Sequence, residues 1–334
     1  MMMLLTLAAF AVLRYDVGWD YMNYYEFASD DGSLAMARER YSFLWYWLFE
    51  FAHGLKMPHL AIAIPAVAAY AFVYQAIRLL SNGNRVEMSD ALLVYAMWPF
   101  FYLGSFSTIR QSLAVAVCLL IFALLYKRQW IWAAVLFAVN LLVHPSSLLA
   151  LVYLPIALYG KRIPIMLACL LGIGVMMAIE NWSDIIVLMD VEAFNEYAET
   201  YMDQEDEFGS MLSLLLGVVA LFLMVTALLD KKQNIWQNKL SIVVAVALCV
   251  DIFIYQSDLP SVITRTFAYF SIFLIVVFFD GLRRFPYVKL FRTLLTCALV
   301  MLFFIYLERT THSVSMQDVD TASNFVPYKT LLSK

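Results

Sequence analysis

Charge is what this chain has least of. Asp, Glu, Lys and Arg make up 14% of its 334 residues, where ordinary globular domains carry ~25%. So few charges cannot cover a water-facing surface, and a mean hydropathy of +0.78 makes the chain an integral membrane protein. Gly/Ser-rich and Pro-rich stretches are missing too, so no linker sets a soluble domain apart and residues 1–334 read as one polytopic unit. There is no basic excess: the net charge is −4 with no basic arm, which argues against nucleic acid as a partner. Cys118, Cys169, Cys249 and Cys297 stand singly inside apolar runs, a pattern that is neither a disulfide framework nor a metal-binding spacing. His53 and His59 flank Pro58 without a partner in metal spacing and read as structural. No metal and no cofactor is expected.

Apolar runs fill the rest. Residues 1–13 are too short to cross ~30 Å of hydrocarbon comfortably and read as a short first span. The segment 41–55 would cover about 22 Å as a helix and reads as a re-entrant or interfacial element. Spans are expected at 58–80, 91–103, 109–126, 129–143, 148–159, 163–179, 211–229, 240–255, 267–279 and 290–307. The expectation is an all-α polytopic protein of about ten to eleven helices. Long polar segments at 14–40 and 180–209, and a polar tail at 308–334, stand between or after the runs.

Basic residues orient this string. Arg78/Arg85, Lys127/Arg128, Lys161/Arg162, Lys231/Lys232/Lys239 and Arg283/Arg284/Lys289/Arg292 fall in alternate loops, which the positive-inside bias places in the cytoplasm. The opposite face then collects Arg14, Asp16, Asp20, Tyr24, Glu39, Arg110, His144 and Arg265. Arginines on that face run against the bias, and a planar guanidinium grips two phosphate oxygens at once. A pyrophosphate loaded from outside, with sugar rings on the neighbouring aromatics, fits such a set.

Arg110 is the sharpest single signal. It stands in Ser105-Phe-Ser-Thr-Ile-Arg-Gln111 at the mouth of the 109–126 run, where a charge at bilayer depth costs ~2.5–3.5 kcal/mol. At helical spacing Ser107, Arg110, Gln111 and Ala114 share a face. A snorkelling anchor is the plainer reading, but Ser, Thr and Gln cluster with the arginine where lipid-facing positions would be apolar. Asp16 and Asp20, four apart, either share a helix face for paired chemistry or are solvated acids paired with Arg14. Glu39 lies between Arg38 and Arg40, and His144 precedes Pro145 at a helix end. Glu192, Glu196, Glu199 and Asp203 recur at helical spacing beside a Phe194, Tyr197, Tyr201 stripe, which describes an amphipathic outer helix.

Taken together, Arg14-Tyr-Asp-Val-Gly-Trp-Asp-Tyr21 with Tyr24 and Phe27, Glu39-Arg-Tyr41, Ser107-Thr-Ile-Arg-Gln111 with Ala114, His144-Pro-Ser-Ser-Leu148 and Arg265 in Thr-Arg-Thr-Phe-Ala-Tyr-Phe resemble the EpsG family. Those are Wzy-like polymerases of exopolysaccharide and O-antigen in the bacterial inner membrane. Trp19 stands where the family usually has threonine, and the family usually has more hydrophobic chain ahead of its first arginine. The resemblance implies a GT-C-like helical fold with an outward-facing cavity. It also implies a metal-independent transfer of a polyprenyl-pyrophosphate-linked oligosaccharide chain onto a lipid-linked repeat unit. Arg14, Tyr24, Arg110, Gln111 and Arg265 would bind substrate, and the base would be His144 or one of Asp16, Asp20 and Glu39. Membrane lipids and a chain-length regulator are the further partners implied. A flippase or transporter of lipid-linked glycans and an O-antigen-ligase-type enzyme are the alternatives.

Overall fold

The long apolar runs become helices because in lipid every backbone N–H and C=O needs a partner within its own segment. The computed structural model describes residues 2–18, 20–152, 209–229, 235–255, 268–282, 288–315 and 328–331. The described residues are helical apart from turns and one isolated bridge. They fall into two compact units, one built from Met1–Leu151 with Lys289–Lys334 and the other from Val152–Val288.

In the first unit α8 (Ile109–Tyr126) is the centre. It is apolar all round and buried from Leu113 to Leu125, as a helix with no polar stripe must be. It packs on α5 (Leu60–Leu80) and on α9 (Trp130–Val143). Asn140 of α9 donates to the Ala114 carbonyl at 3.0 Å and to Cys118 Sγ at 3.1 Å, which fixes that pairing. Helix α6 (Arg85–Met97) starts on Asn84, whose side chain accepts from the Val86 N–H at 3.0 Å. It stops before Pro99, since the residue preceding a proline is held out of the helical region. Helix α7 (Gly104–Ser107) is a single turn. Among the described residues α5 and α8 are long and apolar enough to cross a membrane, with shorter apolar helices at Met3–Leu13, Trp130–Val143, Leu215–Ala227, Leu240–Val250 and Ala268–Phe279.

The polar segment 14–40 is not an open loop. It holds α2 (Tyr21–Ser29) and α3 (Asp31–Arg40), joined at Asp30, whose carboxylate accepts from the Ser33 N–H at 2.8 Å. That bond, with further hydrogen bonding from the Ser33 side chain and the Gly32 N–H, holds the Asp30 carboxyl below its usual range. Helix α4 (Phe43–Gly54) has 12 residues, about 18 Å, too short to span. One face buries Trp45, Leu48, Phe49 and Ala52, and the other exposes Phe43, Trp47, Phe51 and Leu55. Its length fits the interfacial element expected at 41–55. His53 serves structure: it reaches the Ala28 carbonyl at 3.2 Å and Asp31 at 3.1 Å. The last long helix, Val288–Ser315, joins this unit through an Arg292–Asp90 ion pair and a Phe100–Tyr306 edge contact at 5.7 Å.

The second unit packs the helices Gly209–Leu229, Ile235–Tyr255 and Leu274–Leu282 on one another. The spans expected at 148–159 and 163–179 lie wholly or mostly outside the described residues, as do Arg265 and nearly all of the acidic segment 180–209.

Candidate functional site

Helix α1 (Met2–Leu13) ends at Arg14, and the chain then reverses through Asp16 at φ +53° and Gly18 at φ +96°. Glycine is required at position 18 twice over. Its φ is left-handed, and a Cβ there would stand 2.1 Å from the Phe106 carbonyl oxygen. That close approach seats the 14–18 turn on α7 and lays the Arg14 guanidinium over the Phe106 ring, 4.3 Å from its centroid. Tyr21 forms a second wall at 6.0 Å. Tyr70 and Tyr102 stand close behind, tied by Tyr70–Ser105 at 3.1 Å and by the Tyr102 hydroxyl donating to Leu7 at 3.0 Å.

Arg14 is fully buried, and none of its three guanidinium nitrogens has a hydrogen-bond partner among the described residues. Burial pulls its pKa down from the ordinary arginine value. A desolvated cation–π contact returns ~2 kcal/mol, against an effective penalty of several kcal/mol for burying an ion. The aromatic walls offset part of that penalty, but its five N–H donors have no acceptor among the described residues.

Tyr21 and Tyr24 are one helical turn apart on α2 and look to different neighbours. Tyr24 is buried edge-on against Trp45 and Phe49, both at 5.5 Å, and against Tyr41 at 6.2 Å. Arg110 stacks over the other side of this group, 4.4 Å from the Tyr41 centroid. Burial drives the Tyr24 phenol well above its ordinary pKa, and Arg110 beside it opposes that shift without making a full hydrogen bond. Two arginines thus flank one short aromatic helix.

The sequence matches the EpsG family over residues 1–330. The chain belongs to the EpsG family. No curated protein and no solved structure is matched significantly. Membership, with the apolar helices, makes this a membrane protein with an exopolysaccharide polymerase-like role and a lipid-linked saccharide as the suggested substrate.

Of the expected residues, Tyr24 and Arg110 meet at Tyr41 and Asp20 binds the turn beside Arg110, while Asp16 lies with Lys329. Asp16 and Asp20 do not share a helix, because Gly18 breaks the chain between them: Asp16 sits in the turn and Asp20 is the N-cap of α2. Asp16 is ion-paired with Lys329 at 3.0 Å, not with Arg14. The Asp20 carboxylate accepts the Ile109 N–H at 3.0 Å, so it ties the first turn of α8 beside Arg110. Ser107 is not on the Arg110 face. Thr108, at φ −128° and ψ +63°, separates α7 from α8 and leaves Arg110, Gln111 and Ala114 on the longer helix. Arg110 and Gln111 are half-buried. Glu39 is exposed on the last turn of α3.

His144 is the C-cap of α9, and the end of that helix is tied to α4. The Trp45 indole donates to the Val143 carbonyl at 2.9 Å, and the Ser42 hydroxyl donates to Leu142. The residues following Tyr41 therefore link His144 to the Arg110 group. The Ser146 N–H donates to His144 Nδ1 at 3.2 Å. The Ser146 hydroxyl also meets Nδ1, at 2.6 Å.

Phe106 and Tyr102 are members of this site that sequence reasoning passed over; Tyr21 entered only as the end of a motif, and His59 serves structure, as its sequence reads. His59 accepts from the Tyr21 hydroxyl at Nδ1 (3.0 Å) and donates from Nε2 to the Val12 carbonyl, which clamps α2 to the end of α1. The signal for Phe106 was its place between two serines ahead of Arg110.

The Asp20 contact supports a prediction. Asp20→Ala is expected to cost ~1 kcal/mol, as loss of a capping acceptor does, and to reduce polymer by loosening the Arg110 turn. Asp20→Asn keeps an oxygen acceptor and should retain most of both. Full thermal stability with no polymer in the asparagine variant would instead make the carboxylate charge the working group.

Proposed function

We propose that this protein is a polysaccharide polymerase, a single functional domain of residues 1–334 working at the outer face of the bacterial inner membrane. A glycan chain on polyprenyl pyrophosphate is passed to a hydroxyl of a lipid-linked repeat unit. The hydroxyl oxygen bonds to the anomeric carbon, the bond from that carbon to the pyrophosphate oxygen breaks, the hydroxyl proton goes to a protein base, and polyprenyl pyrophosphate departs. The departing group gains negative charge, which guanidinium groups can stabilise electrostatically. A GT-C-like outward cavity is the setting in which donor and acceptor would meet.

The observation that carries this reading is Arg14, a buried guanidinium with no partner on a wall of aromatic rings. A diphosphate supplies the acceptors it lacks, and tyrosine faces suit the apolar side of a sugar ring. Arg110 with Tyr41, Tyr24 and Gln111 forms the second grip, on the glycan side, and Arg265 is assigned to the donor by its place in the family pattern. Of the four candidate bases Asp16 is favoured, since it is two residues from Arg14 and its Oδ1 accepts no hydrogen bond among the described residues. Asp20 acts as a positioning residue, His144 as a contact to the glycan, and Glu39 is left on the rim.

The test is where the substrate stalls. Cells lacking this protein should accumulate single repeat units, lipid-linked and on the outer leaflet, and make no long polymer. Units stranded on the cytoplasmic leaflet would identify a flippase. Full-length polymer that stays lipid-linked would identify a ligase.

A further inference from the structure

The Arg14 site is covered by a segment far away in the chain. Residues 328–331 run antiparallel to residues 13–15. The Tyr15 N–H donates to the Lys329 carbonyl at 3.0 Å and the Leu331 N–H to the Leu13 carbonyl at 2.9 Å. Lys329 Nζ meets Asp16 at 3.0 Å. Tyr328 packs edge-on against Phe10 at 5.7 Å, donates to the Phe10 carbonyl, and stands near enough to Arg14 to influence its ionisation.

We propose that residues 328–331 form a strap that closes over a diphosphate held by Arg14, and that binding of the anion drives the closure. The proposal rests on the polymerase reading for the class of ligand. Its first ground is access. Arg14 is fully buried, so no anion reaches it unless a wall moves. Among the described residues the other walls belong to α2, α5 and the 98–107 segment, each anchored by buried aromatic packing. Among the described residues the strap's attachments include two backbone hydrogen bonds, the Tyr328 ring packing and hydroxyl bond on Phe10, and a half-exposed ion pair, and such attachments are individually weak.

The second ground is charge. With the strap down, the guanidinium is fully buried and has no acceptor among the described residues. Closure therefore works against the desolvation of a cation, and an anion on Arg14 removes that opposition. By linkage, whatever closure adds to anion affinity, the anion adds to closure. Lys329 is in this reading a positioning residue: it holds the Asp16 carboxylate in place only when the strap is down.

The experiment places cysteines at positions 13 and 331 of the full chain, Leu13→Cys with Leu331→Cys, leaving Arg14, Asp16 and Lys329 untouched. The purified protein in detergent is oxidised, and the rate of the 13–331 disulfide is followed as the linked peptide pair by mass spectrometry. Inorganic pyrophosphate is expected to raise that rate about fivefold, the low end of typical site–site coupling, with sulfate at equal ionic strength having little effect. Arg14→Gln should remove the response to pyrophosphate, and Lys329→Gln should slow the reaction with or without it. A rate unchanged by pyrophosphate overturns the proposal. So does a rate that falls, which would make the strap a competitor for the anion, and so does an undiminished response in Arg14→Gln. The two readings fail separately. An unresponsive strap in a protein that still polymerises would leave the polymerase standing, and a responsive one in a protein whose loss leaves polymer intact would remove the polymerase while keeping the strap.

Discussion

Arg14→Met should abolish polymer while leaving the protein as stable as before, or more stable. The two halves of that expectation come from the same observation. A fully buried guanidinium without an acceptor among the described residues costs several kcal/mol of desolvation, of which each desolvated aromatic face returns ~2 kcal/mol, and neither face supplies an acceptor for its N–H donors. Methionine fills a similar volume against Phe106 and Tyr21 without that penalty. A residue kept at a cost to stability is the mark of function under a stability–activity trade-off. If Arg14 stabilises charge on the departing pyrophosphate, its loss should lower polymer formed per inserted molecule by about a hundredfold or more, the scale on which a preorganised electrostatic donor acts. The measurement pairs a thermal melt in detergent with polymer per unit of membrane-inserted protein. A melt lowered in step with activity would make Arg14 a structural residue and remove the main support for the polymerase site.

Lysine variants then separate the two arginines' roles from mere charge. Arg14→Lys and Arg110→Lys keep a cation but replace a flat two-pronged donor by a point charge. Both guanidinium groups lie over rings, Arg14 Cζ at 4.3 Å from the Phe106 centroid and Arg110 Cζ at 4.4 Å from that of Tyr41. Both lysine variants are therefore expected to fail nearly as badly as the neutral ones. A snorkelling anchor would accept lysine freely, so near-normal polymer from Arg110→Lys would return that residue to the anchor reading.

What was legible in the sequence was whatever a single helix could encode. The run from Ile109 to Tyr126 reads as a helix and is one, and Arg110 at its mouth is where its cost says it should be. The pairing of Asp16 with Asp20 was misread because a spacing of four assumes an unbroken helix, and Gly18 at φ +96° reverses the chain between them. The segment 14–40 hid two helices for a related reason. Tyr21, Tyr24 and Ala28 form the buried stripe of α2, but charged and polar residues in between mask so short a period. The strap could not be read at all: Lys329 and Asp16 lie 313 residues apart, and no local pattern announces a contact of that range.

Gly18→Ala should be the most destabilising small substitution in the first unit. Two penalties coincide there. An alanine at φ +96° is strained, which costs ~1–3 kcal/mol, and its Cβ would stand 2.1 Å from a backbone carbonyl oxygen. The carbonyl belongs to Phe106 and cannot swing away like the end of a flexible side chain, so relief requires the 14–18 turn and α7 to part, an overpacking cost of another ~1–3 kcal/mol. Gly83 supplies the control, since it has φ +76° but nothing within 4 Å of the place where an alanine methyl would stand. Gly83→Ala carries only the conformational cost, ~1–2 kcal/mol, so the difference between the two variants isolates the clash. The displacement should also reach function, because the carbonyl that Gly18 touches belongs to the residue whose ring lies under Arg14. Thermal melts of the two variants, with polymer per inserted molecule for each, are the measurement. Equal stability losses would mean that the 14–18 turn does not lie against Phe106.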